Sequence, residues 1–494
     1  MPVDAKSPRK SSPASAKADA DAARPPLVVD MDGTLTRVDT LYETFAAALF
    51  RRPLQTLGAF GVLARSGVAA FKDRLSRIAS IDVETLPLCE ELVLHLHEEK
   101  GRGRSLHLAT AADRPIAERL AARIGVFESV HATENGHNLK GAAKAARLVE
   151  LFPDGFAYAG DHRADLPVWR AAASAIVVAS GSLHRRVAET TPVERAFAGR
   201  RSDWRAWIAA ARPHQWSKNL LVLAPIALGW SQLTAQGLGR ALAATVLLCA
   251  LASLTYVVND ISDVAADRRH PTKRARPFAS GALPVRDGLV AAGLGIPLVL
   301  GASLLISPAV TACLALYTVT TLAYSLGLKR APLLDVFLIG VLFGVRVALG
   351  VAAASLEWSA WLLTFSMFFF FSLGLAKRHT ELIRAVNAGT SEIRGRGYRA
   401  EDRDLTLVFG VSSMMAAIVL VVLYLVDEVF PAGVYAEPRW LWAAPALMFL
   451  WATRVWLLAN RGEMNDDPVV FALRDRVSLG LGGLLGATFL LALI

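Results

Sequence analysis

Three carboxylates close an apolar stretch of this chain, in the segment Asn259-Asp260-Ile261-Ser262-Asp263-Val264-Ala265-Ala266-Asp267. On a helix, positions 260, 263 and 267 share a face, so the three side chains converge. An ionised Asp inside a bilayer costs roughly 2.5–3.5 kcal/mol on insertion scales, less near the interface. A solvated acidic helix end is the ordinary alternative, but no base lies between these three acids. Magnesium takes carboxylates together with substrate phosphates, and this carboxylate face offers the protein's half of such a shell. Next comes His270-Pro271-Thr272-Lys273-Arg274-Ala275-Arg276-Pro277. Lys273, Arg274 and Arg276 suit phosphate oxygens. Metal on one side and guanidinium on the other is what a diphosphate leaving group needs.

A second constellation lies far upstream. Asp30-Met31-Asp32-Gly33-Thr34-Leu35-Thr36 follows a short apolar strand. Two carboxylates two residues apart can divide the work of nucleophile and general acid/base. A lone sequence of this kind can also be a polar turn. Thr110 ends a second strand, Lys140 precedes a helix, and Gly160-Asp161-His162-Arg163-Ala164-Asp165 ends a later strand.

The elements that must position these groups fall into two classes. At 494 residues the chain exceeds one ordinary domain, and its apolar residues are unevenly spread. Residues 1–26 lack an apolar core, so no signal peptide is read there, and their Ala, Ser, Pro, Lys and Asp content reads as a disordered leader. Residues 27–189 read as an α/β domain. Strands are expected at 27–29, 105–109, 130–133, 156–159 and 175–179, alternating with helices, which predicts a parallel sheet. The stretch 54–70 is apolar but interrupted by Arg65, and a helical cap is expected there rather than a membrane span. Residues 190–217 read as a linker with an interfacial amphipathic helix, carrying Trp204 and Trp207 among Arg200, Arg201, Arg205 and Arg212.

Residues 218–494 read as an all-α membrane bundle of about nine spans. They are expected near 219–236, 241–259, 288–306, 309–327, 333–354, 359–377, 406–426, 440–459 and 477–494. Lys and Arg concentrate in the loops at 260–287, 328–332, 378–404 and 460–476, which the positive-inside rule makes cytoplasmic. The expected location is a bacterial-type cell membrane, crossed several times, with both sites cytoplasmic and the C-terminus outside. That distribution accounts for the +10 formal charge without nucleic acid. Cys89, Cys249 and Cys313 have neither the number nor the spacing of a disulfide framework or zinc site.

The pattern NDxxDxxxD, then KRxRP with Ser280-Gly281, resembles the UbiA superfamily of intramembrane prenyltransferases over residues 205–494. Arg212-Pro213-His214-Gln215-Trp216-Ser217-Lys218-Asn219, Tyr324-Ser325, Lys329-Arg330 and Asp335 extend the resemblance. Members that prenylate aromatic acids usually carry a second Asp-rich motif after the sixth span. This chain has Lys377-Arg378-His379-Thr380-Glu381 there, and Asp466-Asp467-Pro468-Val469 further on. The set looks like the decaprenyl-phosphate phosphoribosyltransferase branch, whose diphosphate belongs to phosphoribosyl pyrophosphate and whose acceptor is a polyprenyl phosphate. The resemblance implies substrate contacts at Lys218, Asn219, Asn259, Lys273, Arg274, Arg276, Tyr324, Lys329, Lys377, Arg378 and Glu381, and magnesium at Asp260, Asp263 and Asp267. An acceptor that bears a phosphate suits Lys377 and Arg378, and Lys377 and Glu381 share a helix face.

Residues 27–185 resemble the haloacid-dehalogenase phosphatases, in the phosphoserine-phosphatase-like group with a helical cap. That resemblance implies Asp30 as nucleophile and Asp32 as general acid. Thr110 and Lys140 would hold the phosphoryl group, with Lys144 a weaker candidate for the latter role. Asp30, Asp32, Asp161 and Asp165 are the implied surroundings of a second magnesium. The two resemblances together imply transfer of 5-phosphoribosyl to a polyprenyl phosphate, followed by loss of the 5-phosphate to give a polyprenyl-phosphate ribose, a precursor of arabinofuranose donors. The alternative is an aromatic prenyltransferase using a prenyl diphosphate. A homo-oligomer is left open.

Overall fold

The computed structural model describes residues 24–133, 139–179, 181–199, 203–389, 397–464 and 468–494. Most of the leader, Arg200, Arg201 and the Asp466-Asp467 pair lie outside these. The chain divides into two compact units, one formed by residues up to Ala210 together with Asp260–Leu289, the other by Ala211–Asn259 and Val290–Ile494.

The first unit is built on a six-stranded, all-parallel sheet ordered β3-β2-β1-β4-β5-β6. The strands are β1 (Leu27–Val29), β2 (Leu106–Asp113), β3 (Ser129–Thr133), β4 (Ala157–Gly160), β5 (Ser174–Val177) and β6 (Val193–Ala196). Five strands are legible from the sequence. The sixth lies past the expected domain end at 189 and pairs with β5, and its central Glu194 and Arg195 keep it from reading as a buried strand. β1 is apolar on both faces and fully buried, as a central parallel strand must be. The strand order reverses between β1 and β4, which places a crevice at their carboxyl ends. Asp30 and Asp161 are the next residues after those two strands.

Helices Thr40–Arg51 and Pro53–Ile78 follow β1 and pack through Ala48, Ala59, Phe71 and Leu75. The second has the length and apolarity of a membrane span. It is broken at Gly67, whose φ of +77° is not helical, into runs 53–66 and 68–78. Neither run reaches the roughly 20 residues a span needs. Lys72, on the second run, donates to the Ala111 carbonyl at 2.7 Å, beside the crevice. That is the behaviour of a cap.

In the second unit eight of the nine expected spans are long helices: Ala235–Ser262, Val285–Ser303, Pro308–Leu326, Leu334–Ala354, Ala360–Asn387, Arg403–Tyr424, Ala443–Asn460 and Arg476–Leu493. Two of these begin or end in the first unit. The first expected span, 219–236, is not one helix. A 3-10 segment Pro213–Leu223, a short helix Ala224–Leu228 and a 3-10 turn Trp230–Gln232 replace it. Pro213 and Pro225 lie in first turns and Gly229 ends the short helix, so the apolar run cannot continue as a single rod. The 3-10 segment lies against Leu334–Ala354 so closely that a Cβ at Gly350 would overlap the Val222 carbonyl.

Candidate functional site

The crevice of the first unit brings Asp30, Asp161 and Asp165 together. One carboxylate oxygen of each lies within 4.8 Å of the others, the one such acidic trio among the described residues. Gly33, at φ +80°, turns the chain beneath them, and a Cβ there would collide with the Asp161 carboxylate. Thr34 Oγ1 donates to Asp161 Oδ1 at 3.1 Å. Lys144, on helix Ala142–Leu151, is buried and donates from Nζ to Asp30 Oδ1 at 2.9 Å and to the Tyr158 hydroxyl at 3.0 Å. Tyr158 donates in turn to Asp165 Oδ1 at 3.0 Å, and the His162 amide donates to Asp165 Oδ2. Burial first, and then the neighbouring Asp165 and Asp30 charges, push the Tyr158 hydroxyl well above its usual range, so it stays a donor. Burial and the Asp30 charge raise the Asp165 carboxyl.

Asp32 turns away from this trio. Its two oxygens accept from the Thr40 amide and hydroxyl, each at 3.1 Å. Burial, reinforced by Asp39, raises its carboxyl well above the ordinary value, which favours the protonated form. That suits an acid. It departs from the expectation that the Asp32 carboxylate belongs to the metal set. Thr110 is fully buried at the end of the crevice, its Oγ1 accepting from the Ala112 amide. Lys140 is exposed and lines the same cavity of about 480 Å³. The contact with Asp30 goes to Lys144, because the helix begins after Lys140 and its first turn aims Lys144 inward. Three carboxylates with one buried lysine fit a small, hard divalent cation beside a phosphoryl group.

The acidic segment at 259–267 is not one continuous helix. Ala235–Ser262 ends, Asp263 adopts a non-helical conformation (φ −95°, ψ 4°), and Val264–Arg269 resumes. The face that positions 260, 263 and 267 would share on an unbroken helix is thus interrupted at Asp263. Asp260 and Asp267, both buried, share Arg276, whose Nη1 lies 3.2 Å from Asp260 Oδ1 and 2.7 Å from Asp267 Oδ2. Burial outweighs Arg276 and raises the Asp267 carboxyl. Two buried carboxylates held by a single cation form a pair suited to a metal as well. Asp263 is half-buried, and Lys273 and Arg274 form an exposed 3-10 turn.

In the second unit Asn219 is buried and accepts from Arg346 Nε at 3.0 Å, while its Nδ2 contacts Cys249 Sγ. The sequence reading passed over Arg346. It is the one basic residue of an apolar 21-residue helix, and its guanidinium lies over the Tyr317 and Phe343 rings. A basic residue within an apolar span is itself a signal. Asp335 is fully buried, accepting from Arg378 Nε and from the Tyr398 hydroxyl, each at 2.7 Å. Arg378 Nη1 also holds Glu381 at 2.7 Å. Glu381, which shares a helix face with Lys377, is held by Arg378. Arg378 is consequently a strut between carboxylates rather than an open cation. Lys377, Lys218, Tyr324, Lys329 and Asn259 are half-buried.

Residues 220–474 match the UbiA prenyltransferase family. The chain belongs to that family. Residues 27–170 match the haloacid dehalogenase-like hydrolases, so a hydrolase-like domain precedes the UbiA domain. An uncharacterized protein, y4nM, of Sinorhizobium fredii is 37% identical over 95% of this chain and 91% of its own length. The nodulation protein NoeC of Azorhizobium caulinodans is 33% identical over 57% of this chain and 92% of its own length. The decaprenyl-phosphate phosphoribosyltransferase of Mycobacterium tuberculosis is 32% identical over 55% of this chain and 88% of its own. With its long apolar helices, this UbiA family member is a multi-pass membrane protein.

Proposed function

We propose that the UbiA domain transfers 5-phosphoribosyl from phosphoribosyl pyrophosphate to a polyprenyl phosphate, and that the N-terminal domain removes the 5-phosphate. One observation carries the reading: a chain resembling named phosphoribosyltransferases also holds Asp30, Lys144, Asp161 and Asp165 in a phosphohydrolase arrangement. The product of such a transfer is a phosphate monoester, and that is the substrate class such an arrangement accepts.

In the transfer, the bond from ribose C1 to the pyrophosphate oxygen breaks and pyrophosphate leaves with the electron pair. A lipid phosphate oxygen, already anionic, supplies the new bond, so no strong base is required. Magnesium held by Asp260, Asp263 and Asp267 would neutralise the departing charge. Lys273 and Arg274 are the exposed cations of that loop and serve the leaving group, while Lys377 serves the lipid phosphate. Arg276 and Arg378 align the carboxylates they already hold. In the hydrolysis, Asp30 Oδ attacks phosphorus and Asp32 protonates the departing ribose oxygen; water then cleaves the aspartyl phosphate. Lys144 and Thr110 steady the phosphoryl oxygens. Magnesium at Asp30, Asp161 and Asp165 would supply charge neutralisation there. Both sites work on the cytoplasmic side, where a soluble sugar donor is available.

The test is mass spectrometry of lipid products from purified protein given labelled phosphoribosyl pyrophosphate and polyprenyl phosphate. Asp263→Asn should reduce transfer by at least about a hundredfold without altering folding, the scale seen when one group stabilising the reacting charge is lost. Normal turnover in that variant, or prenylation of an aromatic acid from a prenyl diphosphate instead, would sink the reading.

A further inference from the structure

Arg268 makes a nearly buried ion pair outside the two sites, and its partner is 225 residues away in sequence. Its guanidinium grips Glu43 in a two-pronged pair, Nη2 to Oε1 at 2.8 Å and Nη1 to Oε2 at 3.1 Å. The side chains are 5% and 3% exposed. Glu43 belongs to the first cap helix of the hydrolase-like domain, Thr40–Arg51; Arg268 directly follows the acidic Asp267. The remaining Arg268 nitrogen, Nε, donates to the Ala279 carbonyl at 3.0 Å. Arg268 therefore brackets residues 268–279, the loop that carries Lys273, Arg274 and Arg276.

Other contacts hold the same loop. Arg269 pairs with Asp82 at 2.6 Å. Gly281, at φ +75°, lies so near the hydrolase-like domain that a Cβ would come within 2.9 Å of Arg37 Cβ and 3.3 Å of Pro87. A buried ion pair is weak grounds for stability, because desolvation offsets most of the attraction. Its best-attested use is to fix one arrangement among several. Here a two-pronged guanidinium pair fixes the side chain whose third nitrogen closes the basic loop.

We propose that Glu43 is a positioning residue for the transferase, acting through Arg268 to hold the Asp267–Arg276 segment in its diphosphate-binding form. The hydrolase-like domain is then a working part of the transferase, independent of its own chemistry. The inference rests on the proposed phosphoribosyl transfer.

The experiment uses the full chain in proteoliposomes, with phosphoribosyl pyrophosphate, polyprenyl phosphate and a magnesium titration. Glu43→Gln should raise KM for phosphoribosyl pyrophosphate and the half-saturating magnesium concentration by about tenfold each, with a smaller change in kcat, as removal of one partner from a buried pair implies. Glu43→Asp should recover part of the loss. Arg268→Gln should match Glu43→Gln, and the double variant should be no worse than either, since both act through one contact. Wild-type KM and magnesium response in Glu43→Gln, or additive losses in the double variant, would overturn the proposal. Should single variants unfold early, comparison among variants with a wild-type unfolding temperature, Glu43→Asp first, decides by the same KM criterion. A wild-type protein with no transfer activity would overturn the underlying function instead.

Discussion

The difference between Asp30 and Asp32 is set by what each meets. Asp30 faces Lys144 and two further carboxylates, and Asp32 faces a threonine amide and hydroxyl. Burial favours the protonated form of Asp32, which is the form a leaving-group acid needs. The hydrolysis rate should therefore fall as pH rises through the raised Asp32 value, at saturating magnesium. In Asp32→Asn the rate should drop by about 10²–10⁴-fold and lose that alkaline limb. An unchanged alkaline limb in the variant would reassign the acid. The stability sign agrees. Between the unfolded and folded values the native state binds the extra proton, so Asp32 makes folding less favourable as pH rises through that window. The DxDGT spacing revealed both acids but not their division of labour, since that depends on Thr40 and on burial. Choosing Lys144 over Lys140 likewise needed the helix start, because Lys140 precedes the helix and Lys144 lies on its first turn.

At the scale of elements, buried polar groups determine which helices can be substituted independently. Asp335 and Arg378 come from neighbouring helices, Leu334–Ala354 and Ala360–Asn387, and Tyr398 closes the pair from the following loop. Asp335→Ala would leave Arg378 buried with only Glu381, at a cost of about 3–5 kcal/mol. A marked fall in the unfolding temperature of the solubilised protein is expected, with a smaller fall in Asp335→Asn, which keeps an acceptor. Equal unfolding temperatures for wild type and Asp335→Ala would show that the pair contributes no net stability. The alternation of strands and helices, and eight long apolar helices, were legible because periodicity and length are local properties. The broken first span was not, because its Pro and Gly residues sit inside an otherwise adequate apolar run. The sixth strand was not either, since Glu194 and Arg195 mask it and Arg104 takes up Glu194 only in the folded domain. Glu43 with Arg268 defeats any local reading, as nothing near either residue in sequence indicates the other.

For the whole molecule, the question is what joining the two proposed activities in one chain accomplishes. The proposed transfer product is a lipid, so it stays in the bilayer and diffuses in two dimensions. A second site on the same chain meets it at an effective concentration set by the tether rather than by how many protein molecules the membrane holds. Asp30→Asn should make lipid-linked ribose 5-phosphate accumulate, and Asp263→Asn should make little from phosphoribosyl pyrophosphate. A mixture of these two variants in one membrane should form the dephosphorylated lipid, because each supplies what the other lacks. In the mixture, however, the intermediate must travel between molecules. Raising the lipid-to-protein ratio should lengthen the lag before dephosphorylated product in the mixture while leaving wild type unaffected. If both respond alike, the lipid equilibrates with the whole membrane before its second reaction, and the fusion confers no advantage in passing it on.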